Sequence, residues 1–404
     1  MNRVSVPGRS RARGGSILHG LVRSALIALP LAMVSCGGGD DGGGGGGGGG
    51  GNNPPSGGST ATQFAYVINS GADTIQAYRS DPDGTLTPIG TPPTPLATGD
   101  FPHHVRVDPR GRFVYVSNHS STFLSGYRIN QDGTLAPMNS GVGSPVTGTL
   151  PGEAGSHSSV IDETGQFLYV IAGPETAAST LRAYRIDTTP GPTLGNLTAL
   201  TAAGGSFPVG VHAHNMTLSP NNLFLYTASE GSGEVHAFSR DTTTGLLTPR
   251  GVTSGLPGVQ AVTVDPQSRF VYASYPNVVE VLEIGADGSL TRFSPPRTVS
   301  TGNGPHALTI HPNGRFLYVA NIADASISVY RVDPNTGSLT SIETEPTGNN
   351  PNYVIVHPNL TTLYTADAIP NQVSRFTINQ DGTLAPAGTV PAGAGANGIG
   401  TTKF

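Results

Sequence analysis

From residue 63 onward, short apolar runs alternate with breaks rich in Gly, Pro and Asp, and helical candidates are scarce. One run keeps returning. A Phe-x-Tyr core appears as Phe64/Tyr66, Phe113/Tyr115, Phe167/Tyr169, Phe224/Tyr226, Phe270/Tyr272 and Phe316/Tyr318, with Thr362/Tyr364 as a degenerate seventh. Subtracting residue numbers puts the tyrosines 49, 54, 57, 46, 46 and 46 residues apart. A Gly-x-Leu pair follows each tyrosine: Gly84/Leu86, Gly133/Leu135, Gly195/Leu197, Gly245/Leu247, Gly288/Leu290, Gly337/Leu339 and Gly382/Leu384. Glycine there takes positive φ without steric cost, as a tight hairpin requires. Between tyrosine and turn lies another strand pattern, seen at 74–79, 181–186 and 326–332.

Each unit thus predicts four short strands: one leading, the Phe-x-Tyr strand, a third, and one after the turn. A period in the forties with four strands is a propeller blade. Cores such as Arg315-Phe-Leu-Tyr-Val-Ala320 are apolar on both faces, as sheets stacked between neighbours require, and the aromatics are read as inter-blade packing. The expected fold is an all-β, seven-bladed β-propeller spanning 63–404. Its first unit lacks a leading strand, and the chain ends on one, Asn397–Lys403, so the C-terminal strand is expected to join the first blade and close the ring.

In a propeller the leading strands line the central channel, and the connections into them form its mouth. Stepping back five residues from the turns at Asp108, Asp162, Ser219, Asp265, His311 and His357 gives His103, His157, His214, Gln260, His306 and Asn352, and the closing strand supplies Asn397. Every blade therefore offers an imidazole or an amide at one level of the ring. Two readings stay open: these groups satisfy neighbouring backbone, or the histidines bind a polar ligand or polarise a carbonyl. No metal and no cofactor are expected, because no acidic residue shares the repeat position and the ring is expected to hold ligands from non-adjacent blades apart. His311 and His357 are read as turn residues, and His119 and His236 as solvated. The ends of the Phe-x-Tyr strands are expected to bring Asn69, Asn118, Glu230, Asn321 and Asp367 to the same mouth, with Glu230 the carboxylate of interest because His214 lies in its blade.

The N-terminus changes the picture of where this domain works. Arg3, Arg9, Arg11, Arg13 and Arg23 precede an apolar stretch, Ala25 to Val34, that is too short to span a membrane, and Ser35-Cys36 follows. Residues 1–35 read as a lipoprotein signal peptide and Cys36, the single cysteine, as the lipidated residue; Met33-Val34-Ser35-Cys36 resembles a lipobox. Residues 36–62, nearly all Gly, read as a disordered tether. Removing 1–35 takes five arginines and no acids, so the balance of 21 basic to 26 acidic residues becomes 16 to 26, near −10. That excludes a nucleic-acid partner and gives no electrostatic reason to dock on anionic lipid. A monomer is expected, exported and held at the bacterial envelope, the outer membrane favoured by the absence of Asp at residue 37.

The unit Pro305-His-Ala-Leu, Gly314-Arg-Phe-Leu-Tyr-Val-Ala-Asn321, Val329-Tyr-Arg-Val and Gly337-Ser-Leu339 resembles the propeller lactonases of the phosphogluconolactonase type, as does the Tyr-Arg strand with its Asp-Gly-Thr-Leu turn at Tyr127–Leu135. The resemblance covers about 63–404. It implies a fourth blade with Pro-Arg-His and then Asn-Glu in the site; here the matching residues are His212-Ala213-His214 and Ser229-Glu230, and the arginine is missing. It implies catalytic roles for Glu230, His157 and His214: Glu230 activating water, with His157 or His214 steadying the carbonyl oxygen. His103, His306, Gln260, Asn352 and Asn397 would line the substrate site. Without the arginine, a phosphorylated sugar lactone is a poor substrate. The expected function is a lactonase-like hydrolase of a small lactone; the alternative is a non-catalytic propeller binding a protein or glycan at the envelope.

Overall fold

The structure is a computed structural model that describes residues 62–90, 93–138, 155–201 and 203–403. The proposed signal peptide, Cys36 and all of the glycine-rich segment except Thr62 lie outside the described residues.

Seven antiparallel sheets are present, each a meander that begins at an inner strand and steps outward. The inner strands of blades two to seven are Pro102–Val107, Ser156–Ile161, Ala213–Leu218, Ala261–Val264, Pro305–Ile310 and Asn349–Val356. Blade one takes its inner strand, Ala396–Thr401, from the far end of the chain. It pairs with Gln63–Asn69 in the register Ala65↔Thr401, Tyr66↔Gly400, Val67↔Ile399, and Thr402 closes the seam by exchanging hydrogen bonds with the Phe64 backbone. Each inner strand touches the next, all the way round. Blades one and three depart from the four-strand expectation. Their third strands also pair with Leu96–Ala97 and Ser206–Val211, which divide in two the outer edge that Leu247–Ser254 forms continuously in blade four.

The second strands of blades two, three, four and six are buried along their whole length, Phe316–Asn321 for example, because each is covered by a sheet on both faces. The repeat that announces these strands is also what fastens one blade to the next. The phenolic hydroxyls of Tyr66, Tyr115, Tyr169, Tyr226 and Tyr318 donate to the carbonyls of Gly133, Gly195, Gly245, Gly288 and Gly382, the turn glycines of the following blade, at 2.7–3.1 Å. Tyr364 does the same to Gly84 and so carries the interlock across the seam from blade seven to blade one. The preceding Phe lies flat against that same glycine: a Cβ on Gly245, whose φ is +76°, would stand 2.2 Å from the Phe167 ring. Glycine at the turn therefore serves two needs, the left-handed backbone and room for an aromatic ring. Each hydroxyl contributes about 1 kcal/mol net and each buried Phe about 1.5–3 kcal/mol, repeated round the ring.

His311 and His357 are turn residues, as expected, and each also ties its blade to the next: His311 donates from Nε2 to the Leu360 carbonyl at 2.8 Å, and His357 Nε2 meets the Ser80 hydroxyl at 3.0 Å.

Candidate functional site

A β-bulge aims each ring residue. In six inner strands one residue is left out of the pairing: His103 between Pro102↔Asn118 and His104↔Ser117, and likewise His157, His214, His306, Asn352 and Asn397. Gln260 holds the equivalent place just before Ala261–Val264. Two residues before each of the seven, the backbone turns through positive φ, at Phe101, Gly155, His212, Gly258, Gly304, Asn350 and Gly395. A bulge re-aims a side chain, and here the same bulge recurs at the ring residue of six of the seven blades.

The channel is narrow enough at this level for alternate blades to meet. His103 of blade two, His214 of blade four and His306 of blade six each bring one ring nitrogen to within 4.8 Å of the other two. Ring centres lie 4.8 Å apart for His103 and His214 and 4.9 Å for His214 and His306. This corrects the expectation that non-adjacent blades hold their imidazoles apart. His157 stands beside them, 6.2 Å from His103 and 6.4 Å from His214. His119 and His212 extend the cluster, 4.7 Å and 5.4 Å from His157, so His119 is no solvated loop residue.

Glu230 is placed beside this cluster. One carboxylate oxygen lies 3.3 Å from His212 Nδ1 and the other accepts from Gln260 Nε2 at 3.2 Å. The other strand-end residues expected at the mouth are elsewhere. Asn69, Asn118, Asn321 and Asp367 are fully buried and hydrogen-bond within their own blades, Asn118 to Phe123 and Ser125, Asn321 to Ser326 and Ser328, Asp367 to Ser374. Their true counterpart in blade four is Ser229. Glu230 is one residue further on and matches His119, since Glu230 N–H donates to the His212 carbonyl just as His119 N–H donates to that of Phe101. His119 pairs with Glu175 at 3.1 Å, a carboxylate more than half exposed at the rim.

The proton positions follow from the carbonyls each ring meets. His103 Nδ1 donates to the His157 carbonyl and His306 Nδ1 to that of Asn352, both at 2.9 Å, so in each the Nε2 is a bare lone pair. His157 spends its Nε2–H on the Gly173 carbonyl at 2.8 Å, and its buried Nδ1 has no partner among the described residues. That corrects the expected role of His157 in steadying a carbonyl oxygen: its free nitrogen accepts and cannot donate. Burial holds the rings uncharged. His103 is pushed down to about 3, by burial first and by its imidazole neighbours second, and His157 to about 4 by burial; His214 and His306 are lowered for the same reason. The Asn352 backbone carbonyl serves His306, and Asn397, buried, braces blade two by donating from Nδ2 to the Pro102 carbonyl at 3.2 Å.

Sequence reasoning passed over Arg106. It donates to the Ser159 carbonyl and to the Tyr353 hydroxyl, both at 2.7 Å, and joins blade two to blade seven across the channel, with His104 on the same hydroxyl at 3.3 Å. The signal was there: His104 and Arg106 alternate along an inner strand, and residues two apart face the same side.

The profile of the family described as "Lactonase, 7-bladed beta-propeller" matches residues 58–351. Among solved structures, the chain is similar to a 6-phosphogluconolactonase homologue from Bacteroides fragilis (18% identity, 86% of this chain and 99% of that one, TM-score 0.69). It is similar also to one from Bacteroides uniformis (16%, 85% and 100%, 0.68) and to the periplasmic gluconolactonase of Pseudomonas aeruginosa (18%, 84% and 98%, 0.66). At these identities the likeness is one of fold. No curated protein matches the chain.

Proposed function

This chain belongs to the seven-bladed β-propeller lactonase family, and we propose that it hydrolyses a small uncharged lactone at the histidine-lined mouth, with Glu230 as general base. The observation that carries this is the placing of Glu230: a carboxylate held on one side by His212 and on the other by Gln260, beside a cluster of uncharged imidazoles. Glu230 takes a proton from water; the hydroxyl oxygen adds to the lactone carbonyl; the tetrahedral adduct expels the ring oxygen; and the proton passes from Glu230 to that alkoxide. The products are one carboxylic acid and one alcohol on the same carbon chain.

An uncharged substrate fits the site. Arg106, the arginine of this channel strand, already serves Ser159 and Tyr353, and position 213 is alanine, so neither position supplies a free guanidinium for a phosphate. Glu230→Gln keeps the shape and the Gln260 contact and removes the base. Across a panel of unphosphorylated γ- and δ-lactones, kcat should fall by about 10²–10⁴ with thermal stability unchanged. A wild-type chain that opens none of them sinks the enzymatic reading; a fully active Glu230→Gln sinks the assignment of the base.

The basic leader and the lone cysteine support a second element of the proposal, export followed by lipid anchoring through Cys36 at the envelope. Cys36→Ala should shift the protein from the membrane fraction to the soluble one, and an unchanged distribution removes the anchor.

A further inference from the structure

We propose that His103, His214 and His306 form a three-imidazole site on the propeller axis for a first-row divalent ion, Zn²⁺ foremost. The three come from blades two, four and six, and one nitrogen of each lies within 4.8 Å of the others. Two of the rings carry the bracing that metal-bound imidazoles need. With Nδ1–H fixed on the carbonyls of His157 and Asn352, His103 and His306 are locked in orientation and tautomer, and Nε2 is left as the electron pair to give. The third, His214, sits between them and makes no side-chain hydrogen bond among the described residues, only ring contacts.

An apolar or purely structural cluster does not account for this arrangement. Structural histidines end their hydrogen bonds on donors and acceptors in balance, whereas here the Nε2 lone pairs of His103 and His306 meet no hydrogen-bond donor among the described residues. His157 adds one more, a buried Nδ1 without a partner. A proton could supply the missing charge, but burial opposes it at every ring of the trio. A cation that accepts imidazole nitrogen engages the lone pairs of the trio at once, and neutral imidazole favours Zn²⁺, Cu²⁺ or Ni²⁺ over Mg²⁺ or Ca²⁺. Three protein ligands leave a fourth tetrahedral position for water, as in catalytic zinc sites. At Zn–N distances of about 2.0–2.1 Å the nitrogens would lie about 3.3 Å apart, so each ring must move inward by less than about 1 Å.

The site stands on this geometry; its part in hydrolysis rests on the lactonase reading. There it supplies what the imidazoles lack, a positive partner for the carbonyl oxygen or a bound water of lowered pKa. Glu230, held beside the cluster by His212 and Gln260, would take that water's proton.

The test is metal uptake. The full chain, freed of metal by chelation and shown by circular dichroism to keep its fold, is titrated calorimetrically with Zn²⁺ and, separately, with Co²⁺ under visible spectroscopy. Uptake of about one ion per chain with the intense absorption of tetrahedral Co²⁺ is expected. His214→Gln and His306→Gln should each weaken uptake by at least the roughly 100-fold that even a lost outer partner costs, while His236→Gln, on an outer strand, binds as the wild type does. A folded wild-type chain that takes up no ion overturns the proposal, and so does uptake undiminished in both variants. Should a variant misfold, the wild-type stoichiometry and spectrum decide alone. Stoichiometric uptake without turnover of any lactone removes the lactonase reading and leaves the site; turnover that survives chelation in a chain that binds no Zn²⁺ removes the site and leaves the reading.

Discussion

The rim of the blades and the axis of the ring are built from the same seven-fold repeat and treat it in opposite ways. At the rim one solution is repeated: a tyrosine hydroxyl on a glycine carbonyl and a phenyl ring on that glycine's Cα, six hydroxyl contacts including the one across the seam. On the axis the backbone device is repeated, positive φ and then a bulge, but the side chain it presents varies: four histidines, a glutamine and two asparagines. Packing between wedges has one good answer, and a repeat converges on it. A channel has no such demand, so its seven positions are free to differ, and chemistry collects where they do.

That contrast makes predictions of decreasing size. The largest concerns the seam, where rim and axis meet in one strand. Ending the chain at Gly395 removes the inner strand of blade one and bares an edge of Gln63–Asn69 together with the buried Val67 and Ile68. Complete loss of cooperative unfolding, or aggregation, is expected in thermal scans. A truncated chain that melts like the intact one would show that ring closure carries no stability.

Next comes acid. In the metal-free chain, His157 has its folded pKa lowered to about 4 from an ordinary value of 6.5. The unfolded chain then binds more protons between those values, so stability is present above about pH 6.5 and is lost as pH falls toward 4, on the order of 3 kcal/mol from this ring alone. Denaturant midpoints measured from pH 7 down to 4 should drop steeply, and His157→Gln should flatten the slope. His236 and His357, away from the axis, are lowered by burial as well and add to the slope in both chains; an equal slope in the variant would place the acid sensitivity elsewhere.

Smaller still is the rim's own exception. Tyr272 is the one repeat tyrosine whose buried hydroxyl has no partner among the described residues, whereas Tyr226 donates to Gly288. Tyr226→Phe should cost about 1–2 kcal/mol and Tyr272→Phe almost nothing, or stabilise slightly. Equal costs in chemical denaturation would mean that the interlock rests on ring packing alone.

How much of this was legible in the sequence follows the same division. Phe-x-Tyr and Gly-x-Leu revealed blade number, strand order and closure, because repeated packing leaves a repeated pattern. Ring positions such as His103 and His306 were found by counting back from the turns, which works because the bulge is repeated as well. What failed was anything set by distance between blades. The convergence of blades two, four and six depends on channel width, which no spacing encodes. The level of Glu230 was misjudged by one residue because Ser229 replaces the Asn or Asp that ends the strand in four other blades. The brace that Asn397 gives blade two is not legible because an amide that braces a neighbour and one that faces a ligand read alike.

The smallest effect is the most telling, because it sets stability against chemistry at one residue. At the seven positive-φ positions glycine occupies four, and His212 sits at one of the other three with φ +49°, a conformation that costs a non-glycine residue about 1 kcal/mol. At this position the cost is offset by what the imidazole does, which is to hold Glu230. His212→Gly should therefore raise stability by about 0.5–1 kcal/mol, the torsional relief less the added backbone freedom, while kcat on a susceptible lactone falls roughly tenfold as Glu230 loses its brace. Phe101→Gly relieves the same strain in blade two without touching Glu230, so stability should rise with turnover unchanged. If His212→Gly leaves turnover intact, the strained histidine is not a positioning residue, and the link between backbone strain and the carboxylate is broken.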